Sequence, residues 1–159
     1  MRVLGCNVTA GGIYFVEVAK NRLGYDISTP QKLLTPQPIA QDLSRAMETV
    51  KAILRPGGEK SAPITTLGMF GCTSGTRGSS VAAIKAETAI QLAADSLGIR
   101  VEVFHPAAFF KMFKDSEGKN WSDRARHLLD PEHDVLYWNS GVDGAICAAI
   151  RAADTGTTA

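Results

Sequence analysis

The fold of this chain is decided by a stretch near its start, Arg2-Val3-Leu4-Gly5-Cys6-Asn7-Val8-Thr9-Ala10-Gly11-Gly12-Ile13-Tyr14-Phe15-Val16-Glu17-Val18-Ala19. Residues 2–8 and 13–19 are runs rich in β-forming side chains, and the four residues between them include two glycines. Glycine adopts the positive φ angles of a tight turn at little steric cost. The stretch therefore predicts an antiparallel hairpin, because a connection this short cannot join two parallel strands.

The elements expected after the hairpin complete a single α/β domain. They are, in chain order, a weak edge strand within residues 24–34, a helix from Pro36 to Leu54, a strand at 64–71, a helix at 80–97, a strand at 100–104, a short helix from Pro106 and a last helix through Val142 and Ile150. This order predicts a mixed central sheet, three antiparallel strands and then two parallel ones, flanked by helices. This order resembles that of ribonuclease H-like folds.

Length and composition fit one ordinary globular domain. The chain has 159 residues, of which 45% are apolar and 21% are charged, and both fractions are close to the globular average. We expect the domain to span residues 1–154, followed by a frayed tail at 155–159. The sequence contains no run of roughly 20 apolar residues, the length that a membrane span requires. We therefore expect no membrane association and a cytoplasmic location.

Cysteine usage and charge limit the range of partners. Cys6, Cys72 and Cys147 are widely spaced and odd in number, which favours buried thiols in a reducing compartment over a disulfide framework. The formal net charge of +1 creates no overall field that would attract nucleic acid. Any site for a polyanion would therefore be a local patch.

Three separated segments carry a resemblance to a known family. They are Val3-Leu4-Gly5-Cys6-Asn7 in the first strand, Ile84-Lys85-Ala86-Glu87-Thr88-Ala89-Ile90-Gln91-Leu92 in the middle helix and Asp143-Gly144-Ala145-Ile146-Cys147-Ala148-Ala149 in the last helix. In order and spacing they resemble the RuvC-like branch of the ribonuclease H-like superfamily. The middle segment, with the Gly75–Ser80 loop before it, is most similar to short uncharacterised bacterial RuvC-like proteins. The resemblance frames nearly the whole chain and implies a ribonuclease H-like fold.

The resemblance also implies where a nuclease site would lie. Active members of the superfamily hold two divalent metals with acidic side chains on the first strand, the fourth strand and the last helix, because hard cations require anionic oxygen ligands. These positions fall on Asn7, on or beside Phe70, and on Asp143. Only Asp143 is a carboxylate and thus a candidate metal ligand. Asn7 offers a neutral carbonyl oxygen and Phe70 offers none, so we do not expect a two-metal site.

Asp143 has a second, structural interpretation. Ser140 and Asp143 have the spacing of a helix-capping pattern, in which an acidic residue of the first turn binds backbone N–H groups. We favour this capping role for Asp143 over a role in metal binding.

Glu87 is a second carboxylate that could replace a lost ligand. It shares a helical seam with Ala83 and Ile90, where an apolar side chain would be easier to bury. Alternatively, Glu87 lies at the margin of this seam and pairs with Lys85 or Arg77. We favour the margin, because buried glutamates are rare.

The segment between the fourth strand and the second helix is a candidate phosphate site. It combines glycines, hydroxyls, one arginine and the exposed N–H groups of a helix start, which together suit phosphate binding. The candidate residues are Thr73, Ser74, Thr76, Arg77, Ser79 and Ser80. The segment lacks the lysine and the spacing of a P-loop, so a flexible connection that caps the helix is the alternative.

Residues 114–130 form a polar segment in which Trp121 is isolated among charges. Its basic residues around a tryptophan could contact nucleic acid, but Asp115, Glu117 and Asp123 neutralise much of their charge. We interpret the segment as a solvated surface.

Three functional hypotheses follow. The first is a degenerate, non-catalytic RuvC-like domain that binds nucleic acid or phosphate and needs no cofactor. The second is an unconventional metal-dependent nuclease, similar to Holliday-junction resolvases, that uses Asp143, Glu87 and Asn7 with Mg²⁺ or Mn²⁺. The third is a structural or regulatory protein-interaction module, since one fold hosts many functions. The domain could also form a homo-oligomer.

Overall fold

The computed structural model describes residues 2–55, 62–71 and 80–156. In these ranges the elements are β1 (Arg2–Thr9), β2 (Gly12–Lys20), β3 (Tyr25–Ile27), β4 (Gln31–Leu33), α1 (Ala40–Leu54), β5 (Thr66–Phe70), α2 (Val81–Ser96), β6 (Arg100–Phe104), α3 (Pro106–Met112), α4 (Trp121–Leu129), a short 3₁₀ helix (Trp138–Ser140) and α5 (Val142–Gly156). None of the described helices is both long and apolar enough to cross a membrane.

The strands form one mixed sheet. Its order is β3-β2-β1-β5-β6, and β4 also pairs with β2. β2 is antiparallel to β1, β3 and β4, whereas β5 is parallel to β1 and β6 is parallel to β5. The predicted fold class is confirmed, because an antiparallel part of the sheet is followed by two parallel strands.

The predicted edge strand is interrupted rather than continuous. β3 pairs with the last residues of β2 and β4 pairs with its first residues, and Ser28, Thr29 and Pro30 lie between them. Proline has no N–H to donate to a neighbouring strand, which explains a break at this point. Because the edge strand is divided in two, the strand predicted at 64–71 is the fifth strand, β5, in the structure.

The two long helices before β6 differ in how well the sequence predicts their starts. α1 begins at Ala40, later than the predicted Pro36, because a proline at position 38 disfavours helical backbone at the residue before it. α2 agrees with the prediction: the Ser80 hydroxyl accepts from Ala83 N at 3.1 Å, and Gly98 follows with a φ of +68°. Such a glycine commonly ends a helix.

Helices cover both faces of the sheet. Side chains of a strand alternate between faces, so Val3 of β1 packs in the cluster formed mainly by α5. Leu4, Cys6 and Val8 of β1 pack in the other cluster, with side chains from α1 and α2. The sheet is therefore the middle of three layers, and β1 contributes to both cores.

The helix α5 lies directly on the backbone of β1 and β5. A Cβ placed on Gly5 would lie 1.9 Å from Ala145 O, and one placed on Gly68 would lie 2.2 Å from Ala148 O. No side chain could fit in either space. These two glycines therefore set the depth of α5 against the sheet, and with it the position of Asp143.

Polar contacts hold the far end of α5 against the sheet. Tyr25 Oη donates to Asp154 Oδ1 at 2.9 Å, and Thr155 Oγ1 donates to Glu102 Oε2 at 2.7 Å. The helix continues to Gly156. Residues 155 and 156, which we expected in a frayed tail, thus belong to α5.

The pKa of Tyr25 gives a test of this contact. Burial and the hydrogen bond to Asp154 raise the pKa of Tyr25 to about 12. Because the folded state then holds the phenolic proton more tightly than the unfolded chain does, the free energy of unfolding should fall as the pH rises from about 10 to about 12. Tyr25→Phe should remove this part of the pH dependence, measured by denaturant melts across that range. Equal pH dependence in the two proteins would contradict the contact.

Candidate functional site

Asn7 and Phe70 lie side by side where two parallel strands end, and they are Cα partners in the pairing of β1 with β5. The start of α5 covers both residues. Asn7 Nδ2 donates to Gly141 O at 2.8 Å, and a Cβ placed on Gly144 would lie 2.8 Å from Asn7 Nδ2 and 3.1 Å from the Phe70 ring. Asp143 directly precedes Gly144 in α5, so its backbone lies at the same end and on the same face of the sheet as Asn7 and Phe70.

Asn7 attaches the start of α5 to the sheet. Its side chain is 5% exposed, and the group that faces it is the carbonyl oxygen of Gly141. A carbonyl oxygen accepts hydrogen bonds but cannot donate them, so the facing side chain has to present an N–H or O–H. Asparagine meets this need, whereas an ionised aspartate would not.

The carboxylate of Asp143 is engaged by neighbouring donors. Ser122 Oγ donates to Asp143 Oδ2 at 2.6 Å, and Gly144 N donates to Asp143 Oδ1 at 2.7 Å. Trp138 Nε1 donates in turn to Ser122 Oγ at 3.1 Å. Burial raises the pKa of Asp143, and the hydrogen bonds from Ser122 and Gly144 oppose that rise.

The predicted capping pattern at the start of α5 is only partly correct. Asp143 does accept from an N–H of the first turn, that of Gly144. Ser140 N donates to Tyr137 O at 3.0 Å instead, so Asp143 does not reach back to Ser140 as a capping box requires. The reason is that Ser140 belongs to the 3₁₀ helix before α5.

Three aromatic rings close the space beside Asn7. Phe70 stacks on Phe109 at 5.3 Å between centroids, and Trp121 lies 5.6 Å from Phe70 and 5.0 Å from Phe109. Phe109 is fully buried. Phe70 on β5 occupies the position that the resemblance assigns to a metal-binding acid. This position is therefore packed with aromatic rings.

Trp121 and Ser122 are site residues that the sequence interpretation missed. The interpretation of residues 114–130 as a solvated surface is wrong for these two, because they open helix α4 against α5. A local signal was present: Asn120 accepts from Asp123 N at 2.9 Å, the spacing of an N-terminal cap. A cap followed by tryptophan indicates a short helix with one buried face.

Comparison with known proteins gives a match to the fold. No protein-family model and no curated protein matches the sequence. Among solved structures, that of Thermus thermophilus RuvC has a TM-score of 0.65 at 15% identity, covering 94% of this chain and 91% of the other. T. thermophilus RuvC in complex with a Holliday junction substrate has a TM-score of 0.62 at 16% identity, covering 94% and 90%. The chain has a RuvC-like fold.

The RuvC-like fold is the fold that the resemblance of the three sequence segments implied. At this identity the comparison establishes the fold alone, so the chemistry of the site depends on the residues present. Those residues do not fit the two divalent metals of active superfamily members. Asn7 directs its amide N–H at Gly141 O, Phe70 offers no ligand atom and Asp143 is bound by Ser122. Across residues 2–55, 62–71 and 80–156, no group of three or more His, Cys, Asp or Glu could hold a metal ion.

Glu87 lies on the other face of the RuvC-like sheet. It belongs to α2 and is 7% exposed, so the interpretation that it sits at the margin of its seam is wrong. Its carboxylate accepts from Gln91 Nε2 at 3.4 Å, and burial together with this carboxylate raises the pKa of the Cys6 thiol. Cys6 points away from Asn7, as strand alternation predicts. The structure therefore does not bring Glu87 together with Asn7 and Asp143.

Most of the candidate phosphate residues fall outside the described part of the chain. These are Thr73, Ser74, Thr76, Arg77 and Ser79. Ser80 is described, and its hydroxyl accepts from Ala83 N. The capping role predicted as the alternative for this segment is thus present at Ser80.

Proposed function

We propose that this chain is a RuvC-like domain that binds nucleic acid. We propose further that it does not cleave the nucleic acid by a two-metal mechanism. The observation that carries the proposal is the arrangement of Asn7, Phe70 and Asp143. Each residue occupies a position that the resemblance assigns to a metal-binding acid, and each is engaged in a structural contact. The domain would need neither Mg²⁺ nor Mn²⁺ for binding, and we expect it in the cytoplasm.

The fold supports the binding part of the proposal. T. thermophilus RuvC, which shares this fold, has been solved in complex with a Holliday junction substrate. Nucleic acid binding depends mainly on contacts to phosphates, which do not require a catalytic metal. A domain that has lost its metal ligands can therefore keep such a surface.

The unconventional-nuclease hypothesis has less support. It needs Asp143, Glu87 and Asn7 at one site, but Glu87 lies across the sheet from the other two. Asp143 would also have to exchange its hydrogen bond with Ser122 for a metal. A single available carboxylate is a poor site for a hard divalent cation.

A gel-shift and cleavage assay tests the proposal. Labelled four-way junction and single-stranded DNA would be incubated with the protein in EDTA and in Mn²⁺, with T. thermophilus RuvC as the positive control for cleavage. We expect retarded but uncut DNA in both buffers. Binding should weaken steeply as salt increases, since each neutralised phosphate adds about one to the slope of log K against log salt.

Two results would overturn the proposal. Cleavage that requires Mn²⁺ and disappears in Asp143→Asn would favour the nuclease hypothesis. No binding to either DNA at low salt would favour the protein-interaction hypothesis. Asp143→Asn keeps the size of the side chain, so its thermal melt serves as the folding control.

A further inference from the structure

Tyr137 is an exposed aromatic residue in an unusual backbone conformation. It precedes the 3₁₀ helix with a φ of +59° and a ψ of +21°, in the left-handed region that side chains other than asparagine, aspartate and histidine seldom adopt. Its side chain is 46% exposed. Strained residues of this kind persist only where the surrounding structure fixes them, and they are common at binding sites.

The loop before Tyr137, residues 130–136, is fixed by a buried carboxylate. Asp130 is 2% exposed, and its Oδ1 accepts from Asp134 N at 2.9 Å and from Val135 N at 3.2 Å. Arg126 Nε lies 3.2 Å from Asp130 Oδ2, and its guanidinium group lies over the Trp138 ring at 5.7 Å. Contacts of Asp130 and Arg126 thus hold the segments on both sides of Tyr137.

A lysine ammonium group accompanies the exposed ring. Lys32 on β4 is exposed, and its Nζ lies 5.5 Å from the Tyr137 ring centroid and 5.8 Å from that of Tyr14. The two tyrosine rings are 5.8 Å apart. Tyr14 is 2% exposed, so it packs on the protein side of Tyr137 and Lys32. Tyr137 and Lys32 face the solvent.

This pair adjoins the RuvC-like site. Tyr14 is the Cα partner of Asn7 in the hairpin, and a Cβ placed on Gly141 would lie 2.8 Å from the Tyr14 ring. Gly141 is also the residue that accepts the hydrogen bond from Asn7. A continuous series of contacts therefore connects Asn7, through Gly141 and Tyr14, to Tyr137 and Lys32.

We propose that Tyr137 and Lys32 form a subsite for one nucleotide of a single-stranded nucleic acid. The base stacks on the exposed ring of Tyr137, and the neighbouring phosphate pairs with the ammonium group of Lys32. Every base has a π-face, so stacking of this kind tolerates any sequence. The subsite rests on the proposed function. It adds that the bound nucleic acid is single-stranded and that Tyr137 and Lys32 contact it.

Binding of fluorescein-labelled oligothymidylate, measured by fluorescence anisotropy, tests the subsite. Tyr137→Asn removes the ring but suits the left-handed backbone, and we expect it to bind roughly five- to 150-fold more weakly, the range for loss of one stacked base. Tyr137→Phe keeps the ring and should bind like the wild type. Lys32→Gln should reduce the salt slope by about one.

Thermal melts and a matched control separate binding from folding. Tyr137→Asn relieves backbone strain but loses the contact with the Tyr14 ring, so we expect a melting temperature close to that of the wild type. Leu128→Asn removes an apolar side chain of similar exposure, 57%, from α4, and should leave binding unchanged. Wild-type binding that persists in Tyr137→Asn would overturn the subsite and leave the proposed function intact. No binding by the wild type to any nucleic acid would overturn both.

Discussion

Gly5→Ala is expected to prevent stable folding. Its methyl group would lie 1.9 Å from Ala145 O and 2.9 Å from Ala149 Cβ. The first neighbour is backbone of the central helix α5, which is buried along most of its length and so cannot move aside alone. We expect a loss of more than about 4 kcal/mol, a size that a single substitution reaches only through such a mechanism. This loss is comparable to the whole stability of a small domain.

Circular dichroism and denaturant melts would measure this effect. Gly68→Ala should act in the same way, because its methyl group would lie 2.2 Å from Ala148 O. Gly11→Ala is the matched control, since the nearest heavy atom there is 3.9 Å away. If Gly5→Ala unfolds at nearly the same denaturant concentration as Gly11→Ala, α5 does not lie on β1 as described.

Asn7→Asp is expected to destabilise the domain by about 2–4 kcal/mol at neutral pH, although it restores the acid that the resemblance assigns to this position. The change is isosteric, so packing is unaffected. It replaces the N–H that donates to Gly141 O at 2.8 Å with an anionic oxygen, and two acceptors then face each other in a buried site. The pKa of the new carboxyl would be raised by burial and by this contact.

The pH dependence follows from that raised pKa. The folded variant would bind its proton more tightly than the unfolded chain does, so the deficit relative to the wild type should shrink as the pH falls from 7 towards 4. Once protonated, the introduced carboxyl group can donate to Gly141 O as the amide does. Asn139→Asp, at an exposed position of the 3₁₀ helix, controls for the added charge. A variant as stable as the wild type at pH 7 would contradict the structural role of Asn7.

The parts of the fold that the sequence predicted are those that depend on local signals. Two β-rich runs joined by a short connection predicted the hairpin, although neither Gly11 nor Gly12 has the positive φ expected of them. Apolar periodicity together with Ser80 and Gly98 predicted α2. Family resemblance supplied the positions of Asn7, Phe70 and Asp143. The break at Pro30 and the late start of α1 are also local effects of proline, although their positions depend on the neighbouring strand and helix.

The parts that the sequence did not predict depend on contacts between distant segments. In the sequence, nothing distinguishes Gly5 and Gly68 from other strand glycines. Only the packing of α5 on the sheet shows that these positions have no room for a side chain. Trp121 and Ser122 stand in a polar segment, and only the packing of α4 on α5 brings them to Phe70 and Asp143. Glu87 was expected at a helix margin because buried glutamates are rare, but α2 turns it towards the sheet. A single sequence carries no direct signal for such pairings.

Mn²⁺ binding by the wild-type protein tests most directly the proposal that the site of Asn7, Phe70 and Asp143 does not bind a catalytic metal. Free Mn²⁺ would be measured by electron paramagnetic resonance during a titration, with Asp143→Asn as the paired variant of equal size. We expect no saturable binding that distinguishes the two proteins, because Asp143 is held by Ser122 and Gly144 and neither Asn7 nor Phe70 supplies an anionic ligand. A saturable Mn²⁺ site in the wild type that is absent from Asp143→Asn would contradict the proposed loss of metal function.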